Sequence, residues 1–248
     1  MKEIINAKDV YKENILSQVN FSMCEGEMVA IMGPSGSGKS TLLYQLSGMD
    51  KPDSGQVIFD GDCISSFSED ENAQIRLQKM GFVFQQMHML PNLNILDNII
   101  LPALQNQKTK NAEKKTEGQL KEEALVLMKK TGISGLDQRN ITAVSGGQLQ
   151  RACICRAVMN QPKLLLADEP TGALNKASSV EIMKEFVRLN REGMSILIVT
   201  HDSKVASCCD RVCYMSDGQL IGEYALGKFE EENTKEREAK LNNWLDEF

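Results

Sequence analysis

A glycine-rich stretch near the N-terminus carries the clearest chemical signal of the chain. The stretch GPSGSGKST fits the pattern GxxxxGK[ST], follows the apolar run EMVAIM and precedes the helical pattern STLLYQLSG. Its glycines let backbone N–H groups curve around a phosphate, and the helix N-terminus adds partial positive charge. Lys39 is expected to reach the β and γ oxygens of a nucleotide, and the Ser40 hydroxyl to ligate Mg²⁺. The predicted phosphate-binding residues are Gly33, Pro34, Ser35, Gly36, Ser37, Gly38, Lys39, Ser40 and Thr41.

Two acidic residues follow a second apolar run, LLLADEP. We expect Asp168 to hold Mg²⁺ through its water shell and Glu169 to act as general base on the water that attacks the γ-phosphate. The alternative is a helix N-cap with an acidic first turn. Pro170 and Gly172 disfavour a helix that starts immediately after the pair.

Two more polar residues stand at the ends of predicted strands. Gln85 ends GFVFQ, where a lone glutamine is usually a solvated cap. His201 follows SILIVT, which places it at the carboxyl edge of a strand, where ligands bind in open α/β sheets. His88, the other histidine, is expected at the surface or in an interface.

A second glycine motif raises a question, because the chain already has one phosphate loop. The stretch AVSGGQLQRACICRAVMN places Ser145, Gly146, Gly147 and Gln148 at the start of another helical pattern. Small residues at a helix N-terminus suit contact with an anion.

The order of apolar runs and amphipathic stretches predicts an α/β fold. KLLLAD and SILIVT are nearly continuous apolar runs, which are typical of parallel strands covered on both faces. The turn sequence SDGQ could close a hairpin after RVCYMS. Helical patterns dominate from Met87 to Asn160. The predicted strands are EMVAIM, QVIFDG, GFVFQ, KLLLAD, SILIVT and RVCYMS.

Composition narrows the function class. The chain has 248 residues, 42% of them apolar, and a net charge of -6, which argues against nucleic-acid binding. No apolar run approaches the roughly 18 residues of a membrane span, so we expect a cytoplasmic protein. An odd number of cysteines, seven, fits a reducing compartment. A metal site at Cys208, Cys209 and Cys213 is less favoured than small core residues, because the spacing lacks paired CxxC motifs.

The segment after Gly227 is rich in charge and allows two interpretations. Leu241, Trp244, Leu245 and Phe248 recur at helical spacing, which predicts a short helix that docks on an apolar surface. A frayed tail is the alternative.

Six motifs in one order, GPSGSGKST, FQQ, VSGGQ, LLLADEP, TGALN and THD, closely resemble those of the ATP-binding-cassette (ABC) ATPases. The resemblance covers the chain from about Ile4 to Tyr224. LLYQLSGMDKPDSGQVIFDG and NILDNIILPAL are similar to the subgroup that serves lipoprotein release, macrolide export, cell division and detoxification of bacitracin-type peptides.

The resemblance implies a P-loop NTPase core with an N-terminal β region and an inserted α-helical subdomain. It places the core at residues 1–86 and 161–226, the helical subdomain at 87–160 and a tail or helix at 227–248. The implied ligands are ATP and Mg²⁺. Tyr11 would stack on adenine, Gln85 would contact Mg²⁺ and the attacking water, and His201 would bond the γ-phosphate. Ser145, Gly146, Gly147 and Gln148 would bind the γ-phosphate held by a second subunit.

The implied partners are a membrane permease and a second ATPase subunit, with no nucleic acid. Because Glu169 and His201 are both present, we expect a homodimer. The helical block would hold the permease through the cleft near Gln85 and the helix after Asn94, at the inner face of the membrane. Transport of a peptide antibiotic, drug or lipoprotein is the first hypothesis, and a mechanical signalling complex of cell division is the second. A soluble DNA-repair or translation ATPase is disfavoured, because coiled-coil insertions, zinc modules and tandem cassettes are lacking.

The sequence departs from the family pattern in three places. Val144 stands where leucine is usual, and packing should be preserved. Asn175 replaces the common aspartate, which removes a charge but keeps an acceptor oxygen. Cys153 and Cys155 occupy positions of small residues, where a buried thiol fits.

Overall fold

Strands and helices alternate along residues 2–109 and 114–248, the parts of the chain that the computed structural model describes. The strands are β1 Glu3–Lys12, β2 Leu16–Cys24, β3 Met28–Met32, β4 Ser54–Phe59, β5 Asp62–Cys63, β6 Met80–Phe84, β7 Leu164–Asp168, β8 Ser195–Val199, β9 Arg211–Ser216 and β10 Gln219–Ala225. The helices are α1 Lys39–Leu46, α2 Glu69–Lys79, α3 Ile95–Asn106, α4 Glu117–Lys130, α5 Gly146–Val158, α6 Lys176–Arg191, α7 Ser203–Ala206 and α8 Thr234–Leu245.

A six-stranded sheet forms the centre, in the order β10-β9-β3-β8-β7-β6. Its strands pair in parallel except β10, which returns antiparallel beside β9 through the predicted SDGQ turn. Every residue of β3 and β8 is buried, as expected of apolar strands covered on both faces. Five of the six predicted strands lie in this sheet and the sixth, QVIFDG, is β4, so all six are confirmed, and the α/β fold with them.

A smaller antiparallel sheet, in the order β2-β1-β4-β5, lies beside the first and forms the N-terminal β region. Register shifts interrupt the pairing of β1 with β2, one of them between Ala7 and Val10. Asp9, inside this interval, has a left-handed backbone with φ of 49°. The irregularity weakens the period-2 pattern, and for this reason β1 and β2 did not stand out among the predicted strands.

Three clusters of buried apolar residues hold the layers together. One fills the space between the two sheets and α1, and the second lies on the opposite face of the large sheet against α5, α6, α7 and α8. The third joins α3, α4 and α5, so the helical block has a core of its own.

The helical block, residues 87–160, contains α3, α4 and α5, and α3 and α4 begin at capping residues that the sequence supplies. Asn94 caps α3, and Thr116 and Gln119 form a reciprocal capping box at the start of α4. The helix α4 ends at Lys130, two residues before Gly132, the glycine at which its sequence pattern predicts the end. The sequence KTKNAEKKTEG also predicts a charged polar linker before this helix; the linker includes residues 110–113, which lie outside the described residues.

The terminal segment docks as a helix, which decides between the two interpretations of its sequence. On α8, Leu241 is fully buried, and the Trp244 ring stacks on Tyr224 with centroids 5.4 Å apart. Phe248 stacks on Tyr214 at 4.7 Å. Gly222 of β10 leaves the room for these rings, because a Cβ there would lie 2.4 Å from Phe248.

Within the described residues, no helix is both long and apolar enough to cross a bilayer. Cys208, Cys209 and Cys213 are buried in the core, as the favoured interpretation of their sequence predicts. Burial raises the pKa of Cys208 to about 11 and that of Cys213 to about 12.

Asp60 ties three distant elements together at the turn after β4. Its carboxylate accepts hydrogen bonds from Lys2 at 3.2 Å, Lys79 at 3.0 Å and Lys163 at 2.7 Å. Burial alone would raise the pKa of Asp60, but the three lysines outweigh it and hold the pKa well below its ordinary value.

We expect Asp60→Asn to lower the free energy of unfolding by about 1–2 kcal/mol at pH 7, because the amide loses charge-assisted bonds to partly exposed lysines. A lowered pKa stabilises the fold above the unfolded-state pKa of about 3.9, and this contribution declines as the pH falls further. The difference between variant and wild type in urea unfolding should therefore shrink at about pH 3. Asp62→Asn is the matched control, since Asp62 meets Lys79 at 3.4 Å with a side chain 45% exposed. Equal effects of the two substitutions would contradict the argument.

Candidate nucleotide-binding site

The strand order of the large sheet brings the predicted site residues to one edge. β3 leads into the phosphate loop, and its neighbour β8 ends before His201. Next to β8, β7 ends at Asp168, and β6 beyond it ends before Gln85. Parallel strands share a carboxyl edge, so residues far apart in sequence become neighbours there.

The backbone of the phosphate loop requires glycine. Gly33, Gly36 and Gly38 have φ of 149°, 82° and 102°. A Cβ at Gly33 would lie 2.0 Å from the carbonyl oxygen of Met215, so any side chain would displace the loop from β9. Because Gly38 immediately precedes α1, the N–H groups of loop and helix open to the same anion-binding concavity.

Lys39 and Asp168 face each other across this edge. Lys39 is buried, and its Nζ donates to the carbonyl oxygens of Gly33 at 2.8 Å and Pro34 at 2.6 Å. Burial lowers the pKa of Lys39, and the negative charges of Glu169 and Asp168 oppose that shift. The ammonium group is thus held inside the loop by weak carbonyl partners that an anionic phosphate can replace.

Asp168 collects hydroxyl groups from α1. Its Oδ1 accepts from Ser40 Oγ at 3.0 Å and its Oδ2 from the Tyr44 hydroxyl at 3.3 Å. Burial raises the pKa of Asp168, against the effect of these two bonds. The motif GxxxxGK[ST] does not include Tyr44, but Tyr44 lies one helical turn after Ser40 and therefore on the same face of α1.

Glu169 is held by the chain that follows β8. Its Oε1 accepts from the His201 backbone N–H at 3.1 Å and lies 2.7 Å from His201 Nδ1, while Oε2 accepts from Thr200 Oγ1 at 3.2 Å. Because a carboxylate oxygen only accepts, Nδ1 carries the proton in this pair. Glu169 also has a left-handed backbone, with φ of 46°, a strained conformation that occurs often at active sites.

Gln85 lies beside the same acidic pair. Its backbone N–H donates to the carbonyl oxygen of Asp168 at 2.9 Å, and its side chain approaches Gly172, where a Cβ would meet Nε2 at 2.8 Å. Gln150, which the motif analysis passed over, is buried and donates to the Pro170 carbonyl oxygen at 2.8 Å. Through Gln150, α5 is joined to the segment that carries Glu169.

The second glycine motif does not meet the phosphate loop of its own chain. Ser145 caps α5 in a reciprocal capping box with Gln148, and Gly147 packs on the first turn of α6, where a Cβ would lie 2.9 Å from Ser178 Oγ. Among the described residues, no hydrogen bond or ion pair joins positions 145–148 with positions 33–41. Ser145 and Gly146 are exposed and available to another molecule.

The departures from the family pattern fit their surroundings. Asn175 caps α6, and its side-chain oxygen accepts from the Ser178 N–H at 2.9 Å, so the retained acceptor has a structural use. Asparagine and aspartate serve this position about equally well. Val144 packs against the core of the helical block. Cys153 and Cys155 are fully buried, and burial raises their pKa values to about 11 and about 12.

Tyr11 stands near the end of β1, and the residue is 39% exposed. The turn that follows β1 rests against the phosphate loop and the β9–β10 hairpin. Gly218 accepts from the Ser17 N–H at 2.9 Å and donates to the Ser37 carbonyl oxygen at 3.1 Å, so one hairpin residue bridges the N-terminal sheet and the phosphate loop.

Fold and site together define a P-loop nucleotide-hydrolysing protein. Residues 16–172 match the ABC transporter family. The chain is 42% identical over 208 residues to the ABC transporter ATP-binding protein YknY of Bacillus subtilis, covering 84% of this chain and 87% of that protein. It is 41% identical over 209 residues to the macrolide export ATP-binding/permease protein MacB of Pasteurella multocida, covering 84% of this chain and 31% of MacB.

Solved structures agree with this assignment. A dimeric structure of MJ0796, described as a bacterial ABC transporter cassette, superposes with a TM-score of 0.82 at 38% identity, over 91% of this chain and all of that one. A post-hydrolysis state of MJ0796 with bound ADP and Pi gives 0.81 at 37% identity, with the same coverage. The chain belongs to the ABC transporter family, as an ATP-binding cassette subunit with ATPase activity.

Proposed function

We propose that two copies of this chain close head to tail around two ATP molecules and drive a separate export permease for a peptide antibiotic, drug or lipoprotein. The observation that carries the proposal is the separation of the two glycine motifs: the phosphate loop and Glu169 lie at one edge, while Ser145 faces outward. Such a site is completed by a second subunit. The similarity to the macrolide export protein MacB supports the direction of transport.

Each residue at the sheet edge has a proposed role in hydrolysis. Backbone N–H groups of positions 33–41 and Lys39 hold the phosphates, and Tyr11 stacks on the base. Glu169 takes the proton of the attacking water. His201 orients Glu169 through Nδ1–H and bonds the γ-phosphate through Nε2, which must carry a proton as well because phosphate oxygens only accept. A carboxylate as general base typically contributes roughly 10²- to 10⁴-fold in rate.

The residues present fit Mg²⁺. Ser40 Oγ and Asp168 Oδ1 lie 3.0 Å apart, and a hydroxyl beside a carboxylate is a set of hard oxygen donors that this ion prefers. Ser40 and Asp168 would hold the ion, with Gln85 beside them. When bound, Mg²⁺ neutralises the charge that develops on the phosphate oxygens. Tyr44 keeps Asp168 oriented towards Ser40.

A groove between α2, β6, α3 and α5 is the proposed docking site for the permease, which would place the chain at the inner face of the membrane. It has a volume of about 360 Å³. Phe84 lines it and immediately precedes Gln85, so an occupant of the groove would touch the strand end next to the residue proposed to contact Mg²⁺ and the attacking water. Its lining includes Met49, Ala73, Arg76, Phe82, Phe84 and Pro102.

We expect Ala73→Arg to reduce recovery of the permease with the tagged chain by roughly 10-fold or more, because the long side chain fills the groove. Ala73 is exposed, so the substitution leaves the core intact. The measurement is copurification from detergent-solubilised membranes, with the ATPase rate of the isolated subunit as a check on folding. Gln74→Arg, one residue further on the same helix, is the matched control. Undiminished recovery with Ala73→Arg would show that the permease docks elsewhere.

A further inference from the structure

Arg237 of α8 is a buried cation whose hydrogen-bonding capacity is fully used by backbone. Its side chain lies under the terminal helix, and the residue is 7% exposed. A guanidinium has five N–H donors, and here each finds a carbonyl oxygen. The five acceptors, at 2.7–3.2 Å, are the carbonyl oxygens of Ser207, Cys209, Leu226, Gly227 and Lys228.

Burying this charge costs free energy that an ordinary apolar contact between α8 and the core would avoid. Among the described residues, no carboxylate forms an ion pair with Arg237, and the guanidinium lies 5.5 Å from the centroid of the Phe229 ring. Burial lowers its pKa. An apolar side chain would fix a helix on an apolar core without the cost of a buried charge. What the guanidinium adds is a link between two segments, the turn after α7 and the chain that follows β10.

Two of the five carbonyls belong to the chain that leaves α7, and α7 begins directly after the histidine of the site. Asp202 caps α7 and follows His201 in sequence. The side chain of His201 is 72% exposed, and Glu169 is the partner that it contacts. Its position is therefore set through the backbone on either side of it, by the end of β8 before it and by α7 after it.

Packing fixes α7 on one side, where Val205 and Ala206 are buried in the core. A cavity of about 610 Å³ separates α7 from α6, with Glu169 and His201 at one end and Phe229 and Thr234 at the other. On that flank α7 has room to move. Arg237 grips the opposite end of the same short helix, past its last turn.

We propose that Arg237 is a positioning residue for ATP hydrolysis, which holds α7 so that His201 keeps its bond to Glu169. The inference rests on the proposed roles of Glu169 and His201. The terminal segment thus takes part in turnover, because undocking of α8 would break the bonds of Arg237 and free α7 and His201 to move.

The test compares Arg237→Ala and Arg237→Lys with wild type in steady-state ATPase assays. We expect kcat to fall roughly 10- to 100-fold, as for a catalytic group displaced by about 1 Å, with KM for ATP changed less than about twofold. Lysine should not substitute, because its three donors radiate from one nitrogen and cannot reach five carbonyls. Added guanidinium chloride at millimolar concentration should restore part of the kcat of Arg237→Ala and leave wild type unchanged.

Folding is checked in the same samples by ATP binding and by the fluorescence of Trp244, the single tryptophan of the chain, which reports docking of α8. If Arg237→Ala does not fold, Arg237→Lys carries the test. Arg191→Ala is the matched control, since Arg191 touches the same tail through one bond of 3.4 Å to Phe229 and should keep full activity.

The two hypotheses fail separately. If the Arg237 variants fold, bind ATP and turn over at the wild-type kcat while His201→Ala is inactive, the positioning role is wrong and the proposed site stands. If His201→Ala itself keeps the wild-type rate, the role of the histidine fails and the inference fails with it.

Discussion

Glutamine in place of Glu169 is expected to slow ATP hydrolysis by roughly 10²- to 10⁴-fold while ATP binding persists. The amide oxygen can accept from the His201 N–H in place of Oε1, and the amide nitrogen can donate to Thr200 Oγ1 in place of Oε2, so the local fold should survive. What it loses is the ability to take a proton from water. Because the γ-phosphate then stays in place, we expect Glu169→Gln to accumulate as a dimer with saturating ATP and Mg²⁺.

The measurements are phosphate release, equilibrium binding of ATP and light scattering. Glu122→Gln, at an exposed position of α4, is the matched control and should behave as wild type. A Glu169→Gln chain that binds ATP but stays monomeric would reject the nucleotide-bridged dimer for the isolated subunit. A chain with an undiminished rate would reject Glu169 as the base.

Arginine in place of Ser145 is expected to reduce turnover by at least roughly 10²-fold without loss of ATP binding. Ser145 is exposed and contacts its own helix rather than the phosphate loop, so the substitution leaves the chain's own nucleotide contacts intact. Loss of the N-cap costs about 1 kcal/mol of helix stability, which the chain should tolerate. Loss of ATP binding in Ser145→Arg would show that the motif contacts the nucleotide of its own chain, which would contradict the proposal.

A mixing experiment sharpens this prediction. Lys39→Ala should be inactive because it loses the charge that binds the β and γ oxygens, and Ser145→Arg should be inactive for the other reason. A mixed dimer contains one site with an intact phosphate loop and an intact signature. The mixture should therefore recover about a quarter of the wild-type rate, if chains pair at random and sites act independently. If the motif acted within one chain, mixing two inactive variants would restore nothing.

Much of the site could be predicted because its chemistry uses contiguous residues. The phosphate loop, the acidic pair and the histidine each follow an apolar run, and a buried parallel strand is the kind of element that an apolar run identifies best. Once the strands are parallel neighbours, their carboxyl ends must meet. The placement of Lys39, Ser40, Asp168, Glu169 and His201 at one edge thus follows from local patterns and one rule of topology.

The residues that were missed depend on contacts between distant parts of the chain. Gln150 bonds to Pro170, which lies 20 residues further along the chain, and Thr200 bonds to Glu169, which lies 31 residues earlier. Nothing in the neighbourhood of either residue signals the partner. Arg237 is the extreme case, because one charged residue in a charge-rich tail gives no local sign that it will be buried among carbonyl oxygens.

The bridge at Gly218 has a consequence for what the site can hold. Tyr11 belongs to the strand whose following turn is pinned to the hairpin, and the hairpin is pinned to Ser37 of the phosphate loop. A Cβ at Gly218 would lie 2.3 Å from the Ile15 carbonyl oxygen, so the hairpin packs too closely against the turn after β1 for any side chain at this position. If Tyr11 stacks on the base, these backbone bonds fix the distance between the base-binding residue and the phosphate loop. The protein would then measure the length of its nucleotide, and a ligand with only one of the two ends would gain only that end's share of the binding energy.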